Sequence, residues 1–390
     1  MSEWKVAPLK NCFAIGLRNG LTKPMRVRGS GVRMVNMKEI FAYDVIDDST
    51  PMELVPVTEK EYEASVLMYN DLLFARQSLV ESGAGKIAIY KGHSSAVFES
   101  HLIRCRIDKA IACADYIFYL FKSPVGKGTV STIVQQTAAA GIRGSDLENL
   151  EFSFPPLHMQ QAIAEVLSSL DDKIGLLVRQ NSTMETLAQT YFRRWFEETP
   201  NEEWEEKGLD EIANFLNGLP LQNYPCKGGE PMNVIKIREL NSGYSDNSDI
   251  CSSDVPEKYI VHLGDVIFSW SGSLVVDIWK YEEGALNQHL FKVTSDKYPK
   301  WFYYYWIKYH LPEFRIIAES KATTMGHIQR GHLSAAKVLV PSNDELKAMS
   351  ETMQPLIEKI ERNNAQILTL QKLRDTLLPK LISGEVRVKQ

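Results

Sequence analysis

The chain has 390 residues, of which 44% are hydrophobic and 24% are charged. These values are typical of a globular protein with two domains of ordinary size, and they exclude an intrinsically disordered chain. No stretch approaches the ~20 apolar residues that span a bilayer, and the opening MSEWKVAPLKNC lacks the basic-then-apolar order of a signal peptide, so the sequence predicts a cytoplasmic protein.

Charge is segregated along the chain, although the net charge is only −5. Residues 4–38 contain eight Lys or Arg and no acid, whereas residues 39–63 contain eight acids and one base. Bases outnumber acids nine to four in 76–143 and eight to three in 286–340. Basic stretches in both halves fit a protein that contacts a polyanion in two places. Solvated surface charge explains each stretch equally well, so charge alone does not decide.

The five cysteines are scattered and form no C-x-x-C pair. This usage predicts reduced thiols and no disulfide framework. His101, Cys105 and Cys113 come nearest to a ligand cluster, but a structural zinc takes four ligands at tighter spacing. The sequence therefore predicts no metal site and no cofactor.

In the first half, two strand-like segments flank a glycine-rich turn. NDLLFAR (70–76) and IAIY (87–90) lie on either side of Gly83-Ala-Gly85. With the residues that follow, this turn formally fits the dinucleotide fingerprint G-x-G-x-x-G/A. It leads into a strand and not into a helix whose N-terminus could bind a pyrophosphate, so we interpret it as a hairpin turn.

Residues 154–199 predict a long helix with a coiled-coil seam, entered through FSFPPL (152–157). Apolar residues recur there at alternating steps of four and three, and Asn181 is the single amide on the seam. The seam comprises Ile163, Leu167, Leu170, Ile174, Leu177, Asn181, Met184, Ala188, Tyr191 and Trp195.

Residues 341–390 predict a second helix of the same kind. Pro355 predicts a kink or the start of a new helix, and Pro379 and Gly384 predict its end. Its seam comprises Met349, Met353, Leu356, Ile360, Asn363, Ile367, Leu370, Leu377 and Leu381. An amphipathic helix on a globular core would explain either stripe alone, but one stripe in each half favours pairing of the two helices.

The two halves are related by an internal repeat at an offset of 186 residues. Leu147 matches Leu333 and Pro155 matches Pro341, and VFESHLIRCRID (97–108) resembles ALNQHLFKVTSD at an offset of 188. The repeat predicts four parts. These are globular domains at 1–153 and 200–340, and helical spacers at 154–199 and 341–390.

We predict that the two helices run antiparallel, with paired residue numbers summing to about 544. This register places Asn181 opposite Asn363, so that a polar pair satisfies itself inside an apolar seam and fixes the register. The segment 171–197 would be about 40 Å long at ~1.5 Å per residue. This length is close to one turn of B-DNA, about 34 Å.

Five segments resemble parts of Type I restriction–modification specificity subunits. FPPLHMQQAIAEVLSSLDDKIGLLVRQNSTMETLAQTYFRRWF (154–196) is similar to their central conserved region, and LKAMSETMQPLIEKIERNNAQILTLQKLRDTLLPKLISGEVRV (346–388) to their distal one. FLNGLPLQNYP (215–225), VIKIREL (234–240) and GDVIFSWSGSL (264–274) resemble their target-recognition domains.

The resemblance implies two α/β (α+β) target-recognition domains in tandem, joined by two long antiparallel coiled-coil helices in a pseudo-two-fold internal repeat. Each domain would read one half of an interrupted site on double-stranded DNA, and the helices would set the gap. Two copies of an adenine methyltransferase subunit would dock on the chain, and a translocating restriction subunit would join them.

No catalytic motif accompanies these features, so the sequence predicts a subunit without catalysis. FSFPPL lacks the Asn or Asp that an adenine methyltransferase loop places before its prolines, and no acid cluster with lysine suggests a nuclease. Two alternatives remain. The chain is an enzyme with an unrecognised methyltransferase or nuclease site, or it is an adaptor that binds only proteins.

Major-groove reading uses Arg for guanine and Asn or Gln for adenine, with Lys, Ser and Thr on phosphates. The candidate DNA contacts in the first half are Arg76, Gln77, Ser78, His101 and Arg143. Those in the second half are Lys236, Arg238, Trp270, Ser271, Gln288, His289, Lys321, Thr323, Thr324, Gln329 and Arg330.

Each group of candidates has a structural alternative. His101 and His289 also fit hydrogen-bonded structural histidines, and Trp270 also fits the core. VIKIREL reads as a strand whose Lys236 and Arg238 face away from its buried side, toward DNA or toward solvent. The aromatic run WFYYYWIKY (301–309) predicts a core helix and no stacking platform.

Overall fold

The computed structural model describes residues 4–78, 83–136, 140–228, 230–320 and 326–388. Its contacts divide the chain into two units. The first unit comprises Met1–Asp172 and Lys372–Gln390, and the second comprises Lys173–Gln371. The four-part division predicted from the repeat stays a prediction. No described helix combines the length and apolarity needed to cross a membrane.

The first unit consists of several small β-sheets with helices packed on them. Its strands are β1 (Lys5–Pro8), β2 (Phe13–Asn19), β3 (Val32–Val35), β4 (Val45–Ile46), β5 (Glu53–Val55), β6 (Leu72–Ala75), β7 (Gln77–Ser78), β8 (Ile87–Tyr90), β9 (Ala96–Phe98), β10 (Leu102–Ile107), β11 (Gln135–Gln136), β12 (Ala140–Gly141) and β13 (Glu151–Phe154). Its helices are α1 (Met37–Ala42), α2 (Glu59–Ser65), α3 (Ala114–Lys122), α4 (Pro124–Ser131), α5 (Gly144–Leu147) and the start of α6 (Leu157–Arg193).

The largest sheet of the first unit has the strand order β2-β10-β6-β8-β4. All four residues of the central strand β6 are buried, with Leu72 and Phe74 in one core cluster and Leu73 and Ala75 in another. A strand covered on both faces is apolar throughout, which explains the continuous run LLFA. The other sheets have the orders β5-β3-β9, β11-β12-β7 and β1-β13.

The glycine-rich turn precedes a strand, as predicted. Gly85 has a φ of +78° and donates its N–H to the Ala75 carbonyl. The next strand, β8, pairs antiparallel with β6, with Ile87 opposite Phe74. The segment 79–82 of this connection lies outside the described residues.

The second unit repeats this organisation. Its strands are β14 (Glu205–Gly208), β15 (Asn214–Asn217), β16 (Pro231–Ile235), β17 (Ile250–Ser252), β18 (Ile260–Val261), β19 (Val266–Ser269), β20 (Val276–Ile278), β21 (Gly284–Leu286), β22 (Leu290–Thr294) and β23 (Lys337–Val340). Its helices are α7 (Leu209–Ile212), α8 (Ile237–Ser242), α9 (Lys300–Ser320), α10 (Arg330–Ala335) and most of α11 (Asn343–Ser383), with the rest of α6 and a π-helical turn, Arg194–Glu198.

Strand order shows the internal repeat directly. The order β15-β22-β19-β20 in the second unit corresponds to β2-β10-β6-β8 in the first, and the parallel pair β16·β21 corresponds to β3·β9. Each globular segment is closed by pairing its first strand with its last, β1 with β13 and β14 with β23. The predicted fold class, tandem α/β domains joined by long helices, is confirmed.

The aromatic run at 301–309 forms part of α9, and its residues from Trp301 to Ile307 are buried in the core of the second unit. The predicted core role is therefore confirmed. VIKIREL, in contrast, is not a single strand. Strand β16 ends at Ile235, and Ile237 begins α8 because the carboxylate of Glu239 caps the backbone N–H of Lys236 at 3.2 Å.

The two long helices contact each other antiparallel in the predicted register. In the second unit, Asn363 Nδ2 donates to Asn181 Oδ1 at 2.8 Å, and Asn181 Nδ2 donates to Asn364 Oδ1 at 2.7 Å. In the first unit, Arg374 donates to the Asp171 carboxylate at 2.7 Å. The predicted asparagine pair is present, and Asn364 is a third member that the seam pattern missed.

The prediction that a new helix starts at Pro355 and the prediction that Pro379 ends the helix were wrong, whereas a kink at Pro355 stays a prediction. Helix α11 is continuous from Asn343 to Ser383 and passes through both Pro355 and Pro379, while Gly384, with a φ of +75°, ends it. A proline inside a helix costs about 3 kcal/mol or more. Buried neighbours offset this cost, since Met353 and Ile357 flank the first proline, and Leu378, Leu381 and Ile382 surround the second.

Candidate nucleic-acid interface

In the main sheet of the second unit, polar side chains lie together at one end of the strands, directly after or before a strand. Ser269, the last residue of β19, pairs with Leu290, the first of β22. This pairing brings Trp270 beside His289, whose carbonyl accepts the Trp270 backbone N–H at 3.3 Å. The Trp270 indole N–H donates to Asn217 Oδ1 at 2.9 Å and to the Gln288 carbonyl at 3.1 Å.

His289 is held by hydrogen bonds at both ring nitrogens. Ser271 Oγ lies 2.9 Å from His289 Nδ1, and Gln288 Nε2 lies 3.4 Å from His289 Nε2. Ser271 is buried, whereas Gln288 and His289 are half-buried. We call Asn217, Trp270, Ser271, Gln288 and His289 together the second polar edge. The structure thus brings together four of the residues predicted for the second half.

The segment before α10 packs against the second polar edge. Ile328 donates its N–H to the Trp270 carbonyl at 2.9 Å, and the His327 ring centre lies 6.2 Å from that of Trp270. Gln329 is exposed at the N-cap of α10, and Arg330 is exposed with one guanidinium N–H 3.4 Å from the Phe215 carbonyl. Gln329 and Arg330 therefore lie beside the predicted contacts from the strand ends.

Lys236 and Arg238 lie near the same segment but have acidic partners in the chain. The Asn287 backbone N–H donates to the Ile235 carbonyl at 3.2 Å, which places Lys236 next to the turn that precedes His289. Lys236 pairs with Asp249, and Arg238 lies 2.7 Å from the Glu239 carboxylate. Each cation would have to leave or share this carboxylate to contact a phosphate.

The first unit places its predicted residues in the corresponding frame. Arg76 donates its N–H to the His101 carbonyl at 2.8 Å, and the Arg76 carbonyl accepts the Ile142 N–H at 2.9 Å. Gln77 and Ser78 form β7, which pairs with β12. We call Arg76, Gln77, Ser78 and His101 the first polar edge.

Exposure distinguishes the cations of the first unit that can meet an outside ligand. Arg104 in β10 is buried, which lowers its pKa, and its guanidinium lies 5.7 Å from the Phe98 ring. Arg106 forms a salt bridge at 2.7 Å with the buried Asp71. Arg143, the N-cap of α5, is exposed, and Arg76 is half-buried. Of these four, Arg76 and Arg143 are the available cations.

His101 differs from His289 in its surroundings. Its side chain is 55% exposed, and Nδ1 lies 3.6 Å from the Glu99 carboxylate. The hydrogen-bonded structural role proposed as an alternative thus fits His289 better than His101. Neither observation tests DNA contact, so both residues stay predictions.

Three predicted contacts, Lys321, Thr323 and Thr324, lie outside the described residues. Among the residues that are described, no cluster of three or more His, Cys, Asp or Glu is placed to hold a metal ion. All five cysteines are free, and Cys12, Cys105 and Cys251 are buried. The site has the donors of a binding surface, and its side chains offer hydrogen bonds and positive charge.

Sequence reasoning missed Asn217 and His327. Asn217 is the last residue of β15, and its contact with Trp270 joins residues 53 positions apart. His327 precedes the predicted contacts Gln329 and Arg330, but its ring contact with Trp270 could not be predicted from its position in the sequence. The repeated tripeptide Asn-Gly-Leu, at 19–21 and 217–219, was the available signal for Asn217.

Comparison with a family model and comparison with individual proteins indicate the same family. A family model described as the Type I restriction modification DNA specificity domain matches residues 1–186 and 201–372. The chain is 26% identical over 418 aligned positions to the Type I restriction enzyme MjaIX specificity subunit of Methanocaldococcus jannaschii, covering 100% of this chain and 94% of that protein. It is 23% identical to the putative Type I restriction enzyme MjaX specificity subunit of the same organism, covering 99% and 94%.

A solved structure shares the fold. The S subunit of a Type-I restriction-modification system from M. genitalium matches with a TM-score of 0.60 and 16% identity, covering 97% of this chain and 96% of that one. At this identity the likeness shows the architecture alone.

Proposed function

We infer the function of this chain from its family, because it belongs to the Type I restriction modification DNA specificity family and is a specificity subunit of such a system. We propose that each unit reads one half of a bipartite, interrupted site on double-stranded DNA. The observation that carries this proposal is the duplicated backbone frame. The Trp270 N–H to His289 carbonyl bond and the Arg76 N–H to His101 carbonyl bond occupy equivalent places in the two units.

The second part of the proposal concerns the helices. Helices α6 and α11 would set the gap between the half-sites and provide two related docking surfaces, one for each of two adenine methyltransferase subunits, and a restriction subunit would join this assembly. The antiparallel contact of Asn181 with Asn363 supports a fixed register, which a spacer of defined length requires. The chain itself would contribute no catalysis and bind no cofactor.

The test is to co-express the chain with its methyltransferase subunit and to map methylated adenines across a genome by single-molecule sequencing. We expect an interrupted two-part motif. Arg330→Ala is expected to relax or weaken one half of the motif and Arg76→Ala the other, while Lys258→Ala, which removes an exposed positive charge elsewhere in the second unit, leaves both halves unchanged. Equal relaxation of both halves by either variant would contradict the two-reader arrangement.

Other outcomes separate the alternatives. A soluble complex that produces no new methylation would favour a protein-only adaptor. DNA cleavage or S-adenosylmethionine binding by the isolated chain would favour an enzyme. Binding is also expected to weaken as salt rises, since phosphate contacts release counterions.

A further inference from the structure

The two units share a short motif that lies at their polar edges. Asn-Gly-Leu occurs at 19–21 and again at 217–219, an offset of 198. Asn19 ends β2 and pairs with Ile103, and Asn217 ends β15 and pairs with Phe291. Both strands lie at the edge of the main sheet of their unit. Both asparagines are exposed.

The glycine of each motif is required by a close backbone approach. A Cβ on Gly20 would lie 1.9 Å from the Phe98 carbonyl oxygen, and a Cβ on Gly218 would lie 2.3 Å from the Asn287 carbonyl oxygen. Both distances are far below the 3.0 Å that real Cβ atoms keep. In each unit, the glycine that follows the asparagine therefore packs directly against the backbone segment that precedes His101 or His289.

Hydrogen bonds fix the leucine of each motif in the same way. Leu21 donates its N–H to the Phe98 carbonyl at 2.8 Å and accepts the Ser100 N–H at 2.9 Å. Leu219 donates to the Leu286 carbonyl at 3.0 Å and accepts the Gln288 N–H at 2.9 Å. The backbone that carries the two asparagines is thus anchored identically at both polar edges.

The orientation of the Asn217 amide follows from its partner. An indole N–H can only donate, so the atom 2.9 Å from Trp270 Nε1 is the Asn217 oxygen. The NH₂ group of Asn217 therefore points away from the indole, and within the described parts of the chain it makes no hydrogen bond. The side chain presents two N–H donors to an outside ligand, while its oxygen is directed toward the indole.

We propose that Asn19 and Asn217 are specificity-determining residues, each donating a hydrogen bond to an acceptor on a base edge of one half-site. This inference rests on the proposed function. In the major groove, guanine, adenine N7 and thymine O4 offer acceptors, whereas cytosine offers the N4 amino donor. Asn217 would accordingly disfavour cytosine at the base it contacts.

Trp270 would act on the base through Asn217, as a positioning residue. Trp270→Phe keeps an aromatic ring against Phe291 and His289 but removes the N–H that holds the Asn217 oxygen. With that restraint gone, the amide of Asn217 is free to rotate. We expect relaxed selection at the same base position that Asn217 contacts, and no further loss when Trp270→Phe is combined with Asn217→Ala.

The experiment uses the full chain in complex with its methyltransferase subunit, with methylation motifs mapped in cells and binding measured by competition between duplexes that differ at one base pair. Asn217→Asp keeps the size of the side chain and an oxygen for Trp270, but it replaces the NH₂ donor by an acceptor. Asn217→Ala removes both groups. Asn214→Ala, at the exposed start of the same strand, is the matched control.

Four results are expected. Asn217→Ala lowers discrimination at one position of one half-site by about tenfold, as for loss of one base contact. Asn217→Asp shifts the preference at that position toward cytosine, because a carboxylate accepts from cytosine N4. Asn214→Ala leaves the motif unchanged. Asn19→Ala relaxes one position of the other half-site, with the exposed Asn11→Ala as its control.

The outcomes that overturn the inference are distinct from failure of the proposed function. If the wild-type complex yields a bipartite motif and both Asn217 variants keep it intact, Asn217 reads no base. If both variants weaken all duplexes uniformly, Asn217 contacts phosphate and the base-edge assignment is wrong. If the wild-type complex yields no bipartite motif at all, the proposed function fails first, and the inference fails with it.

Discussion

Gly20→Ala is a sharp test of how tightly the first polar edge is built. The added Cβ would lie 1.9 Å from the Phe98 carbonyl oxygen, so the two segments must separate by about 1 Å before the contact becomes tolerable. That separation stretches the bonds from Leu21 to the Phe98 carbonyl and from Ser100 to Leu21, now 2.8 and 2.9 Å, beyond hydrogen-bonding distance.

The expected loss combines two effects. Two backbone hydrogen bonds contribute roughly 0.5–1.5 kcal/mol each, and overpacking costs roughly 1–3 kcal/mol, so Gly20→Ala should destabilise the first unit by about 2–6 kcal/mol. Gly16→Ala is the matched control. Gly16 lies within β2, and a Cβ added there would meet no atom within 4 Å, so its replacement should be neutral or stabilising by roughly 0.5 kcal/mol.

Hydrogen exchange followed by mass spectrometry is the appropriate assay, because it reports on the segments 13–21 and 96–107 separately from the rest of the chain. Faster exchange in both segments for Gly20→Ala, with wild-type rates for Gly16→Ala, is expected. The variant should also weaken reading of one half-site while the other is unaffected. Wild-type exchange rates in Gly20→Ala would refute the argument that this approach requires glycine.

Three further predictions concern the helices and a buried thiol. Asn363→Ala leaves Asn181 without its donor and should lower the unfolding free energy by about 1–3 kcal/mol in urea titrations, whereas the exposed Gln366→Ala should change it by less than about 0.5 kcal/mol. Arg374→Ala removes the cation bound to the half-buried Asp171, and thermal unfolding should show a loss of about 1–3 kcal/mol. Burial raises the pKa of Cys12 from 9.0 to about 11, so the native state keeps a proton that the unfolded chain loses. The contribution of Cys12 to stability should therefore fall by about 2 kcal/mol from pH 9 to pH 11, and the stability of Cys12→Ala should fall less steeply than that of the wild type over that window.

The two long helices and their pairing could be predicted from sequence because they depend on local periodicity. A seam spaced by threes and fours specifies which face is buried, and one asparagine on each seam leaves few registers that satisfy both amides. The contact between Asn363 and Asn181 is the one expected on this basis. Asn364 was missed because it is adjacent to the seam and not on it, and its bond to Asn181 depends on the exact rotation of the helix.

Local rules failed where tertiary packing decides. Pro355 and Pro379 lie inside α11, because the cost of a missing N–H is smaller than the gain from burying the residues around them. VIKIREL alternates like a strand, but the Glu239 carboxylate caps Lys236 and starts a helix there. Neither outcome is encoded in the pattern of apolar residues alone.

The candidate site was predicted as separate stretches, and the structure explains why the sequence did not join them. The offset between equivalent residues falls from 198 at Asn19 and Asn217 to 194 at Arg76 and Trp270, since the intervening loops differ in length. It falls again to 188 at the two histidines. A comparison at a single offset therefore finds the helices, which lack insertions, and misses the asparagines.

This arrangement also indicates where differences between the two half-sites would originate. The backbone hydrogen bonds that hold Arg76 and Trp270 are equivalent. The two side chains therefore start from equivalent backbone positions in the two units, although their chemistry differs. A guanidinium offers forked donors that match guanine, whereas the indole uses its one donor inside the protein, on Asn217 and Gln288. The asparagine present in both units would then supply a contact common to both half-sites. The side chain at position 76 or 270 would supply a contact that differs between them. Replacing the side chain while the frame is kept is a route by which one fold can read many sequences.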